Sequence, residues 1–117
     1  MAGTVLKAFT ATFAAINYTM DYNVNLAVQI LPLHVGKEEA YAMIDKAIEK
    51  VQQSGLKYVV CPFETVIEGP YGTVMQLVGN MQEAVYAAGA KNLLVNMKLH
   101  RSNEKDMAIE DKTGKYQ

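Results

Sequence analysis

Residues 24–31 constrain the fold more than any other stretch of the chain. Val24, Leu26, Val28 and Ile30 alternate with Asn25, Ala27, Gln29 and Leu31. Period two means a strand, and an all-aliphatic set on one side means that this side must be covered. Pro32 ends the strand and Gly36 opens the next element. Lys37 to Ser54 then reads as a helix. Ala40, Ile44, Ala47, Ile48 and Val51 fall on one helical face, Glu38 and Glu39 suit the positive end of the helix dipole, and Gly55 supplies a left-handed stop.

Leu56 to Gly69 is rich in strand formers (Tyr58, Val59, Val60, Thr65, Val66 and Ile67). As one strand it would be too long for a domain of this size. Pro62, which cannot donate to a ladder, breaks it into two strands joined by a tight connection. A second helix follows from Pro70 to Ala88, with an apolar stripe of Val74, Leu77, Val78, Met81, Val85 and Ala88, and Gly89 stops it. The last strand runs over 91–101, where Leu93, Val95, Met97 and Leu99 face one way and Leu94, Asn96, Lys98 and His100 the other. A short helix is expected around Glu104–Lys112. The order βαββαβ is the ferredoxin-like split βαβ arrangement of the α+β class: a four-stranded antiparallel sheet with two helices on one face. Residues 1–22 read as an N-terminal extension, residues 23–112 as the domain and residues 113–117 as a loose tail.

Composition narrows the function classes. With 11 basic against 12 acidic side chains, the net charge of −1 disfavours a partner that is nucleic acid or an acidic membrane surface. No uninterrupted apolar run reaches the length of a membrane span. Val5 to Ile16 is mildly apolar, but it lacks a basic leader and reads as an extension rather than a secretory signal. The lone Cys61 cannot form an internal disulfide, which fits a reducing, cytoplasmic setting.

No catalytic constellation stands out. His34 and His100 belong at opposite ends of the sheet, so they do not form a metal pair, and no phosphate loop is present. Cys61 has no base near it in sequence and reads as a buried structural thiol. The face away from the helices carries Asn25, Ala27, Gln29, Leu31, Leu33, Leu94, Asn96, Lys98 and His100. Apolar groups set among amides suggest burial against another subunit, the alternative being a half-exposed sheet with no partner. The other notable cluster is the run from Pro62 to Pro70. Phe63, Glu64, Thr65 and Glu68 lie close together there, with Tyr71 following. The two carboxylates can act as acid and base, or hold a cationic ligand between aromatic rings. Equally, Glu64 can be a solvated turn residue and Glu68 a negative cap for the following helix.

The run YVVCPFETVIEG at Tyr58–Gly69, placed after a strand ending LPL and a helix, resembles the thiamine-binding protein family typified by YkoF. Pro62, Thr65, Ile67, Glu68 and Gly69 match the family pattern, and KNLLVNMKLHR at Lys91–Arg101 is similar to its last strand, which commonly ends in a basic residue, here Arg101. The resemblance spans roughly Val24 to Lys112. It implies a ferredoxin-like fold with sheets packed face to face between subunits, as a dimer or tetramer. It also implies non-catalytic binding of thiamine or its hydroxymethylpyrimidine part, with no cofactor. Thr65 and Glu68 carry the match to the motif itself. Gln29, Asn96, Phe63 and Glu64 complete the expected ligand set by their chemistry: thiamine has a cationic thiazolium and an aminopyrimidine with donor and acceptor edges, which call for a carboxylate, amides or hydroxyls and flat apolar walls. Two features depart from the family. Residues 1–22 have no counterpart, and Glu64 stands where many members have a small residue. The same topology also serves amino-acid-sensing regulatory modules and small oligomeric isomerases or oxygenases, so those remain the alternative functions.

Overall fold

The structure is a computed structural model and describes residues 21–117. The expected extension over 1–22 therefore lies almost wholly outside the described residues. Four strands and two long helices follow in the expected order: β1 (Asn23–Pro32), α1 (Lys37–Gln53), β2 (Lys57–Val60), β3 (Thr65–Pro70), α2 (Tyr71–Ala87) and β4 (Leu93–His100). A short helix α3 (Ile109–Thr113) and a 3₁₀ turn (Gly114–Tyr116) close the chain.

The sheet is antiparallel with order β2-β3-β1-β4, the ferredoxin-like arrangement. β1 lies in the middle, pairing Leu26 with Ile67 on one side and with Leu99 on the other. Its aliphatic set meets the helices as the alternation requires: Val24, Leu26, Val28 and Ile30 are buried, together with Ile67 of β3. α1 contributes Met43, Ala47 and Val51, and α2 contributes Val74, Leu77, Val78, Met81 and Val85. The α1 face is rotated slightly from the expected stripe. Met43 is buried, whereas Ile44 and Ile48 lie at its margin and stay half-buried. Pro70 ends β3 instead of opening α2, with ψ of 140°. Gly55 and Gly89 have φ of 76° and 115°, the left-handed geometry that lets each helix stop where it does.

Both helices pack on β1, and α2 also packs on β3. The edge strand β4 therefore overhangs the helical layer. Met97 and Leu99 point to the helix side yet remain 47% and 45% exposed. The end of β4 is tied down by Arg101. Its guanidinium lies 3.8 Å from the centroid of the Tyr71 ring at the start of α2 and donates to Asp21 at 3.3 Å.

The tail departs from expectation. Residues 113–117 are not loose: Thr113 ends α3 and the 3₁₀ turn follows. The segment from Asp106 onward folds back across the uncovered face of the sheet. Met107 N–H donates to the Asn23 carbonyl, and Asp106 accepts the Asn23 N–H at 2.7 Å.

Candidate ligand-binding site

Strand parity decides which side chains reach the uncovered face. On β1 they are Asn25, Ala27, Gln29 and Leu31. Their register partners on β4 are His100, Lys98, Asn96 and Leu94. From β3 come Glu68 and Val66, paired with Asn25 and Ala27. From β2 come Lys57 and Val59, which pair with Glu68 and Val66 in turn. The C-terminal segment roofs one end of this face. What remains between roof and sheet is a cavity of about 460 Å³, within the usual range for a small-ligand site. Ala27, Val59 and Val66 form its floor, Ile109 and Thr113 its roof, and Lys98, His100 and Lys112 its rim. Cys61 also reaches it, half-buried at the open face rather than the buried structural thiol that the sequence suggests. A cleft of similar volume, 480 Å³, runs between the helices, where Ala84, Ala87 and Ala88 lie among Lys46, Glu49, Lys50 and Glu83, charges of both signs.

The roof is held by polar contacts of long sequence separation. Asn25 is only 7% exposed. Its Nδ2 donates to the Met107 carbonyl at 3.0 Å and its Oδ1 accepts from Lys112 Nζ at 2.6 Å. Glu68 Oε1 accepts the Ile109 N–H, the first N–H of α3. Lys57 Nζ donates to Glu110 at 3.0 Å. The Lys57 pKa is raised above its ordinary value, first by this hydrogen bond and then by the charges of Glu110 and Glu68.

Among the expected site residues, Gln29 and Asn96 are brought together. They pair in register, and Asn96 Nδ2 donates to Gln29 Oε1 at 3.1 Å, one step along the face from Ala27 and Lys98. Glu64 sits at the β2–β3 turn, with Oε1 3.9 Å from Lys98 Nζ. Phe63 is at the same turn and 82% exposed. Thr65 and Glu68 are not brought together. They lie three residues apart on one strand, so they project from opposite faces. Thr65 pairs with Val28 on the helix side and is 5% exposed, while Glu68 is on the open face. Glu68 does cap a helix N-terminus, as one of the readings had it. The helix is α3, however, and not α2, which has no side-chain cap. Asn25 and Lys112 were missed as site residues. Asn25 carried a signal, an amide set between the aliphatic Val24 and Leu26. Lys112 carried none, because nothing local says where a polar tail will dock.

No group of three or more metal-ligating side chains comes together among the described residues. No helix among them is long and apolar enough to cross a membrane.

The fold recurs in known proteins. The UPF0045 protein CPE1503 of Clostridium perfringens is 32% identical over 92 residues, 79% of this chain and 95% of that protein. A solved Bacillus cereus structure, described as a domain of unknown function, DUF77, superposes with a TM-score of 0.78 at 33% identity, covering 84% of this chain and 93% of that one. A Thermotoga maritima protein assigned in name to thiamine biosynthesis or salvage superposes with a TM-score of 0.73 at 27% identity, covering 81% and 99%. The family model for thiamine-binding proteins spans residues 26–117, from the middle of β1 to the roof of the cavity, and the chain belongs to that family.

Proposed function

We propose that the protein binds thiamine or its hydroxymethylpyrimidine part in the open-face cavity, without catalysis, and that a second copy of the chain covers the rest of that face. The observation that carries this reading is the apolar floor of Ala27, Val59 and Val66 beside the Gln29–Asn96 amide pair. An aminopyrimidine lies flat on such a floor, and amide donors and acceptors match its edge. Family membership and the thiamine-related name of the Thermotoga maritima protein support the same ligand. Gln29 and Asn96 orient the ring in this arrangement. Glu68 holds the roof that closes over it, Phe63 and Glu64 stand at the mouth, and Thr65 acts from the other face by seating β3 on the helices.

The exposed apolar residues Leu94 and, on the half-buried strand beside it, Leu31 mark the part of the face that the roof leaves free. A partner sheet laid there buries them and closes the cavity from the side. Calorimetric titration of the full chain with thiamine, hydroxymethylpyrimidine and a panel of amino acids tests the reading. Heat from thiamine or the pyrimidine with no turnover is the expected result. Heat from an amino acid alone moves the protein to the regulatory class, and turnover of any ligand moves it to the enzymes.

A further inference from the structure

Two ammonium groups, Lys98 and Lys112, line the cavity beside His100, and no carboxylate side chain does. Glu64 and Glu68, the acids of β3 and the turn before it, leave this charge in place. Glu68 is turned to the Ile109 N–H. Glu64 meets Lys98 only at 3.9 Å, and the Lys98 side chain is 83% exposed, so this pair neutralises little. Lys112 Nζ donates to Asn25 Oδ1, a neutral acceptor, so its positive charge is uncompensated and further donors remain on it. A bare thiazolium is a poor match for two ammonium groups. A ligand with a flat neutral ring for the floor and an anionic group for the rim satisfies both halves of the cavity.

We propose that the preferred ligand is a phosphate ester of an aminopyrimidine-bearing molecule, with its ring on Ala27, Val59 and Val66 and its phosphate against Lys98 and Lys112, within reach of His100. The inference rests on the thiamine-related reading above and specifies the ligand class within it. A phosphate monoester near neutral pH carries between one and two negative charges and offers several strong acceptors to ammonium donors. Two sources share this chemistry, thiamine monophosphate and hydroxymethylpyrimidine phosphate.

The test is calorimetry on the full chain with four ligands: thiamine, hydroxymethylpyrimidine and the phosphate ester of each. At least one ester is expected to bind about tenfold or more tighter than its parent, since hydrogen bonds between ions are roughly twice as strong as neutral ones. Which ester shows the gain identifies the source. The gain should shrink as salt is raised from about 0.05 to 0.5 M, because exposed ion pairs are screened. In Lys98→Met, whose exposed side chain carries no part of the core, the ester-to-parent affinity ratio should fall toward one. Circular dichroism confirms that the variant is folded. Parents that bind as tightly as their esters would overturn this inference and leave the proposed function standing. If none of the four binds, both are overturned.

Discussion

At the residue scale, the motif Thr65-x-Ile67-Glu68-Gly69 is mostly an instruction for packing. Thr65, Ile67 and Gly69 all face the helices, and Glu68 points to the cavity side with Val66. Gly69 has no room for a side chain. A Cβ there would lie 3.0 and 3.2 Å from the Leu56 methyl carbons and 3.3 Å from Val74 Cγ2. Gly69→Ala is therefore expected to cost about 1 kcal/mol, the low end for overpacking because the Leu56 tip can turn away; urea denaturation measures it. Glu68 makes a different prediction. Glu68→Ala leaves the Ile109 N–H without its acceptor, and losing a hydrogen bond to a charged group costs about 1.5–3 kcal/mol. Amide exchange at Ile109 should accelerate at least tenfold, while the core amides of β1 keep their protection. Unchanged exchange at Ile109 would remove Glu68 as the anchor of the roof. The separation of Thr65 from Glu68 was legible beforehand, since an odd spacing in a strand always splits two side chains between faces. Closeness in sequence hid it. The partner of Glu68 was not legible, because it lies 41 residues away in a segment with no pattern of its own.

Among the elements, the strands and long helices were readable because each has one face that water must not reach, and burial imposes the period. Their observed ends differ from expectation by no more than two residues, as with β4 at Leu93–His100 against 91–101. The C-terminal segment obeys a different logic. It is fixed by hydrogen bonds and ion pairs to one end of the sheet, and polar docking leaves no periodic trace. Its strength should therefore respond to charge. The Lys57 pKa is raised by Glu110 and Glu68, so the folded form holds its proton more tightly than the unfolded chain. That contribution is fully present below the ordinary lysine value of 10.5 and is lost as pH rises through the higher folded value. Amide exchange, corrected for its intrinsic pH dependence, should show α3 loosening in that alkaline window ahead of the sheet. In Lys57→Met the alkaline step should vanish.

For the whole molecule, the mixed face was legible from strand parity, though not the register that sets Gln29 against Asn96 and Leu31 against Leu94. Its division into a roofed end and a free end was not, since the roof comes from outside the sheet. If a second copy covers the free end, Leu94→Lys places a charge in that interface, and a lone buried charge is costly enough to undo it. Light scattering at micromolar concentration should then give a multiple of the protomer mass for the unaltered chain and a single protomer mass for the variant. A single protomer mass for both would count against assembly through this face. The central place of β1 also bears on how the protein is made. This strand leaves the ribosome before any of its neighbours, and β3, β4 and the roof must all be added to it afterwards, the last through contacts spanning as many as 87 residues. Until Lys112 has emerged, Asn25 lacks the cation that its carbonyl oxygen accepts from in the finished fold. The nascent chain thus carries an aliphatic strand with open edges until β3 and β4 have followed, an interval in which pairing with another strand edge competes with folding. A lysine translated 87 residues later completes the hydrogen bonds of Asn25.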